Sequence, residues 1–456
     1  MTSYYVESAL LAQGWAKNVQ IKVTDSGLIN KINSNVTASE EDIHLSGVLV
    51  PAMPNCHSHA FQRAFAGLCE YSSSNNDSFW SWRSMMYRFI EHLTPEQTHI
   101  IAKQLYIEML KAGYSRVGEF HYLHHGQDSK PYNDITEMSN QVIEAASVVG
   151  IGMTFLPVFY RYAGFGKQQP TAGQGRFTMS LDEYLQYHSK LNSNYIHSEV
   201  IIGTAPHSLR AVDIEDLKQL VSTLEPDTAT HIHIAEQIPE VQQSIEFSGL
   251  RPVEYLYNHM QPNSNWTLIH ATHLTQAEIQ QIIGSDSVVG ICPTTEANLG
   301  DGIFAHDYLK SNGHWAIGSD SHISVNSCEE LRWLEYTQRL QLNQRAVVSG
   351  PDVNSVGRNL WSKATEGGNQ SLGANAGVIS EGKSADFVII DLEQPSLASK
   401  SEDKLLDSLI FSSHANSAIK DVIVGGKLVL RDYKHPLEEQ VANQFKQVMR
   451  DLTAVI

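Results

Sequence analysis

The sequence predicts an α/β protein, a (β/α)8 barrel with a small β-sandwich domain built from both chain ends. Three observations carry this expectation. Eight apolar strand candidates recur through the middle of the chain, helical patterns lie between them, and the termini carry short alternating segments broken by turn residues. At 456 residues the chain has room for a barrel of about 250 residues and one companion domain.

In chain order the strand candidates are GVLVPAM (47–53), YSRVGEFHY (114–122), VGIGMTFLPVF (149–159), SEVIIGTAP (198–206), THIHIAE (230–236), WTLIHAT (266–272), SVVGICP (287–293) and HWAIGSD (314–320). Near-continuous apolar runs suit parallel strands covered on both faces. The clearest helix runs from Thr94 to Ala112, with Thr94 as cap, Pro95 in the first helical position and Gln97 completing a capping box. Another is expected from about Cys328 to Ala346. Residues 1–46 and 378–456, with VQIKVTD, ADFVIIDL and IKDVIVGGKLVL, are assigned to the β domain, leaving 47–377 to the barrel. The stretch 61–93 is too long for an ordinary loop after a strand. Its FWSWRSMMYRFIEHL reads as an amphipathic helix overhanging the barrel mouth.

Composition narrows the function. A formal net charge of −18 without any Lys/Arg-rich run argues against nucleic acid as partner. No apolar run is long enough to span a bilayer, and the N-terminus lacks the pattern of a signal peptide, so a cytoplasmic location is expected. Cys56, Cys69, Cys292 and Cys328 form no CxxC pair, which disfavours both a disulfide framework and a thiolate zinc site. A homodimer is the expected assembly for an enzyme of this size.

The chemistry is read from histidines and carboxylates at strand ends. His57 and His59 are two apart on an extended segment and project the same way. Alone that pair is weak evidence, but His233 ends the fifth strand, His270 the sixth and Asp320 the eighth, on the face where barrels carry their chemistry. Imidazoles and a carboxylate suit zinc with a position left open for water, and His57, His59, His233 and Asp320 are the expected ligands of one ion. Iron or manganese would accept the same donors. Glu236, three residues beyond His233, is the candidate proton carrier, against the plainer reading of a carboxylate capping the next helix. His270 is open to three roles: fifth ligand, hydrogen-bond partner of the attacking water, or buried structural histidine. The second is preferred. His231 reads as filling of the barrel interior, and Glu296 and Asn298 either line the pocket or shape a turn.

PNCHSHAFQRA, HIHIAEQ, LIHAT and IGSDSH resemble the metal motifs of the amidohydrolase superfamily along nearly the whole chain. Binuclear members use a carboxylated lysine on the fourth strand. No lysine lies between Ser198 and Arg210, so the resemblance implies a single metal ion. The longer motifs HSHAFQRAFAGL, FWSWRSMMYR, EFHYLHH, APHSLRAV, CPTTEANLGDG and GSDSHISVN are similar to the deiminases of that superfamily that act on N-formimino-L-glutamate in histidine degradation. That resemblance implies substrate contacts at Gln62, Arg83, Tyr122, His207 and Arg210. Two arginines fit a ligand with two carboxylates, because the planar guanidinium binds such groups through paired charge-assisted hydrogen bonds. Two other expectations are kept in view: an aminohydrolase of a guanine, cytosine or adenosine-type ring, for which Phe79, Trp80 and Trp82 would supply aromatic walls, and a barrel without catalysis that serves in assembly.

Overall fold

The structure, a computed structural model, describes residues 1–70, 79–350, 353–412 and 418–455, except the side chains of residues 79–82 and 84. The aromatic side chains of Phe79, Trp80 and Trp82 therefore lie outside the described residues.

The chain opens with β1 (Thr2–Leu11), β2 (Gly14–Val23), β3 (Ile29–Asn33) and β4 (Ile43–Pro51). Parallel strands follow: β5 (Met53–Ser58), β6 (Tyr114–His121), β7 (Gly152–Phe159), β8 (Ile201–Ile202), β9 (Ala205–Pro206), β10 (Thr230–Ile234), β11 (Trp266–His270), β12 (Val288–Ile291) and β13 (His314–Ile317). The chain returns through β14 (Phe387–Ile390), β15 (Ile419–Val424) and β16 (Lys427–Leu430).

Both chain ends meet in one seven-stranded mixed sheet ordered β16-β15-β14-β4-β1-β2-β3. Alternating residues such as Val6, Val19, Ile21, Leu49, Phe387 and Ile389 pack one of its faces into an apolar cluster of its own. The expected first barrel strand, 47–53, is corrected here. Residues through Pro51 pair with β1 and β14, and the first strand of the parallel system begins at Met53. A run buried on both faces does not disclose which sheet it joins, so one apolar stretch serves two sheets in succession.

The remaining strands form two parallel sheets, β5-β6-β7-β8 with β9 paired to β7, and β10-β11-β12-β13. The fourth expected strand is split, because between β8 and β9 Thr204 leaves β7 and bonds instead to the chain ahead of β10. The two sheets meet at both seams through isolated bridges rather than full ladders: Ser58 with Asp320, Thr204 with Thr230, and Ser208 with His233. Main-chain hydrogen bonds accompany them, from Asp320 N to His57 O at 3.0 Å and from His231 N to Thr204 O at 3.0 Å.

Helices cover the parallel strands. Pro95–Lys111 starts with the expected capping box, Thr94 accepting from Gln97 N while the Gln97 side chain accepts from Thr94 N. The segment read as an amphipathic helix is helical over Phe79–Ile90. Met86, Phe89 and Ile90 on it pack with Phe61, Phe65 and Phe177 in a cluster beside the strand ends. Among the described residues no helix is long and apolar enough to cross a membrane.

The helix Val356–Ser371 lies so close to β13 that a Cβ on Gly367 would stand 2.0 Å from the carbonyl oxygen of Trp315. Gly367→Ala is expected to cost at least about 3 kcal/mol by overpacking, seen as a lowered denaturation midpoint. Gly284→Ala, where a Cβ meets open space, should leave the midpoint nearly unchanged.

Candidate active site

The C-terminal ends of the parallel strands gather the histidines and acids that the sequence singles out. His57 and His59 leave β5, His233 belongs to β10, His270 ends β11, and Asp320 follows β13. His57 Nε2 stands 3.0 Å from His233 Nε2, and Asp320 Oδ1 stands 3.5 Å from His57 Nε2 and 3.3 Å from His59 Nε2. Two ligand atoms each about 2.0–2.1 Å from one zinc ion lie no more than about 4.2 Å apart, so these three spacings fit that ion, although His59 and His233 fall in no common group of mutually close ligand atoms among the described residues. The tautomers agree. His59 Nδ1 bonds the carbonyl oxygen of Phe120 at 2.8 Å and His233 Nδ1 that of His207 at 3.0 Å, which leaves both Nε2 lone pairs turned inward. Burial first, then neighbouring histidines, keeps His57 and His233 well below the usual imidazole range, so they are neutral donors at pH 7.

His270 sits one step away. Its Nε2 is 3.8 Å from both Glu236 Oε1 and Asp320 Oδ2, while its Nδ1 faces Glu296 Oε1 at 3.2 Å. Burial acts against its charge, but Glu236, Glu296 and Asp320 together raise its pKa to about 10 in the metal-free protein. A divalent ion beside Asp320 would cancel part of that field. Glu296, whose role the sequence left open, is thus the partner of His270 and also accepts from Cys292 N at 2.8 Å. Asn298 points away and bonds Glu70.

Among the described residues three groups of side chains have the spacing to hold a metal ion: His57 with His59 and Asp320, His57 with His233 and His270, and His270 with Cys292 and Glu296. Burial pushes the Cys292 thiol far up, which disfavours the thiolate that the third group would need. His231 lies deeper, bonded to Ser371 O at 2.8 Å, and belongs to none of these groups. His121, His124 and His125 each bond a backbone carbonyl through Nε2, and Nδ1 of His124 is buried without a hydrogen-bond partner among the described residues.

A cleft of about 740 Å3 opens over the cluster, and all five expected substrate contacts line it: Gln62, Arg83, Tyr122, His207 and Arg210. Gln62 Nε2 donates to the Tyr122 hydroxyl at 2.8 Å. Arg83 reaches in from the helix Phe79–Ile90, and Nε of Arg210 is buried without a hydrogen-bond partner among the described residues. Sequence reading missed Tyr87, Tyr160 and Phe177 in the same wall. Tyr87 had a signal, since it lies one helical turn beyond Arg83. Tyr160 had none, because an aromatic residue that continues an apolar run reads as core, and Phe177 is a lone aromatic in the polar segment GQGRFTMS.

The backbone that carries these groups is strained. Ala235, His270, Ala271, Asp320 and His322 all have positive φ, a region that non-glycine residues seldom occupy. Gly318 permits β13 to approach β5, since a Cβ there would stand 2.7 Å from His57 Cβ. Glu240, buried on the following helix, accepts from Ala235 N at 3.2 Å and Glu236 N at 3.1 Å and so fixes the strained turn beneath Glu236.

Comparison with known proteins follows the geometry. The amidohydrolase family model matches residues 48–429. This chain belongs to the amidohydrolase family. It is 44% identical over 453 residues to the formimidoylglutamate deiminase of Pseudomonas aeruginosa, covering 99% of this chain and all of the relative. An amidohydrolase structure from Brucella melitensis superposes with a TM-score of 0.93 at 40% identity, covering 99% of this chain and 100% of that one. A zinc-bound adenosine deaminase from Xanthomonas campestris shares the fold with a TM-score of 0.82 at 20% identity over 99% of this chain and 98% of that one.

Glu240→Ala leaves two buried backbone N–H groups without their acceptor, each such orphaned group costing about 1–3 kcal/mol. The unfolding free energy is expected to fall by roughly 3 kcal/mol. A denaturant midpoint equal to that of the parent protein would contradict this account of the turn.

Proposed function

We propose that this chain hydrolyses N-formimino-L-glutamate to N-formyl-L-glutamate and ammonia, a step of histidine degradation. One observation carries the reading: a single cleft is lined by His59, His233, His270, Glu236 and Asp320 and also by two arginines, Arg83 and Arg210. The full-length likeness to a formimidoylglutamate deiminase supports it.

His57, His59, His233 and Asp320 would hold one zinc ion, a reading supported by their imidazole and carboxylate donors and by the His57–His233, His57–Asp320 and His59–Asp320 spacings. When bound, that ion supplies a water acidified to a pKa near 7 and a Lewis acid for the substrate. The protein's own groups then divide the work. Arg83 and Arg210 bind the two carboxylates of the substrate, with Gln62, Tyr122 and His207 adding hydrogen bonds. Asp320 takes a proton from the attacking water. His270 Nε2, held between Glu236 and Asp320, donates a hydrogen bond to the oxygen as it attacks the formimino carbon. Glu236 relays to the departing nitrogen both protons of the water, the one taken by Asp320 and the one shed as the hydroxyl becomes the carbonyl, so that the C–N bond breaks and ammonia leaves, with N–C=O in place of N–C=N.

The eight strand positions are read as one closed (β/α)8 barrel, β8 and β9 counting as one interrupted strand. Main-chain hydrogen bonds across both seams support closure. The mixed sheet of the chain ends is read as a separate small domain, supported by its own apolar cluster.

Purified, zinc-loaded protein is expected to release ammonia from N-formimino-L-glutamate but not from guanine, cytosine or adenosine, with N-formylglutamate identified by mass. Turnover of a ring alone would refute the arginine assignment and leave the metal cluster standing. Arg210→Ala should raise KM at least tenfold, about 1.4 kcal/mol, with zinc content unchanged, whereas Glu236→Ala should mainly lower kcat. Loss of zinc from both variants would contradict this division of roles.

A further inference from the structure

The wall of the cleft around Arg83 contains two phenols whose hydrogen-bonding capacity is only partly used. Arg83 Nε donates to the Tyr87 hydroxyl at 2.6 Å, and Arg83 Nη2 donates to the Tyr160 hydroxyl at 3.3 Å. Gln174 Nε2 also donates to Tyr160, at 2.6 Å. The orientation of that amide is fixed from its other end, where Gln174 Oε1 accepts from Thr171 N at 2.8 Å and from Thr171 Oγ1 at 3.1 Å.

A phenol oxygen both accepts and donates. Tyr160 accepts from two donors, which occupies its lone pairs, and its remaining capacity is the O–H hydrogen. Tyr87 accepts from a guanidinium and likewise retains its hydrogen, since burial pushes its pKa up to about 12. Among the described residues no acceptor takes either hydrogen, and both residues line the cleft. Tyr160 is 5% exposed, so bulk water is a poor substitute partner. The ring of Tyr160 also packs edge-on against His207, with centroids 4.7 Å apart, which fixes its position relative to the rest of the pocket. Two O–H groups flanking one guanidinium define a site for an acceptor that carries negative charge.

We infer that the hydroxyls of Tyr160 and Tyr87 donate directly to the substrate carboxylate that Arg83 holds, with Gln174 as a positioning residue that acts through Tyr160. The inference rests on the dicarboxylate substrate proposed above. Recognition of that carboxylate is then shared between one cation and two neutral donors, and it is set on the helix Phe79–Ile90 and the loop after β7 rather than on the strands that carry the metal cluster.

The test compares Tyr160→Phe and Tyr87→Phe with the parent protein, zinc-loaded in each case. Phenylalanine keeps the ring and removes the donor, so melting temperature and zinc content are expected to stay within error. Losing a hydrogen bond to a charged group should raise KM for N-formimino-L-glutamate about tenfold with kcat within about threefold. Calorimetric affinity for glutarate, which needs no turnover, should weaken by a similar factor. Repeating Tyr160→Phe in an Arg83→Ala background separates contact from positioning: a direct donor still weakens glutarate binding at least about threefold there. No further loss in that background, or an unchanged KM and glutarate affinity in the single variants, overturns the inference. Parent protein that binds no glutarate and turns over no formiminoglutamate overturns the proposed function and this inference together. Parent protein that binds glutarate as tightly as Tyr160→Phe does overturns this inference alone.

Discussion

Burying three carboxylates around one imidazole is the constraint from which the rest of the site follows. Glu236, Glu296 and Asp320 all lie within 3.8 Å of the His270 ring, and each is buried. Two like charges 4 Å apart repel by about 4 kcal/mol even at an effective dielectric constant of 20. The fold relieves this by surrounding the acids with cations and donors. His270 is driven toward its charged form, and Arg210 keeps its charge because Glu240 and Glu236 outweigh the effect of its burial. Asp301, a further buried acid near Glu236, responds the other way: burial and Glu236 raise its pKa to about 9, so it holds its proton. The facing lone pairs of His57 and His233 set the same demand, a proton or a cation between them.

Holding such a cluster requires rigid backbone, and the strain is concentrated where the demand is greatest. Ala235, His270 and Asp320 adopt left-handed conformations at the points where strands turn over the mouth. Each is fixed by neighbours. Glu240 binds the N–H groups of Ala235 and Glu236, Ala271 N donates to Ile234 O at 3.0 Å, and Asp320 N donates to His57 O at 3.0 Å. Those last two bonds run between strand ends, so the mouth is tied together by the same contacts that orient its side chains. Glu119 reinforces this from below, its buried carboxylate accepting from Ser58 Oγ and Ala60 N at 2.6 Å each.

Much of this was legible in the sequence because the periodicity and the chemistry agree. β6, β10, β11, β12 and β13 fall inside their expected runs, since short apolar segments bounded by turn residues leave few alternatives. The cluster residues were legible because histidines and acids at the ends of such runs are uncommon unless used. The start of β5 was misread because Gly47–Pro51 is as apolar as a barrel strand while pairing with β1 and β14. Glu240 and Glu296 were not readable as supports, because a carboxylate five or six residues beyond a strand end looks the same whether it caps a helix or fixes an active-site turn. Tyr160 was hidden for a related reason: in FLPVFYRY it directly continues the apolar run of β7, and nothing in that run separates the residue that faces the cleft from those that face the core.

The arrangement separates two tasks in space, and that separation explains how relatives at such different identities share a fold. His57, His59, His233, His270 and Asp320 sit on or just beyond strands, where the register of parallel ladders fixes them. Arg83, Tyr87, Tyr160 and Arg210 sit on an inserted helix and on loops, whose sequence can change without disturbing a ladder. Cleft residues carried by the insertion and by the loops after β7 and β9 can therefore change while the ladders that hold the histidines and acids stay fixed.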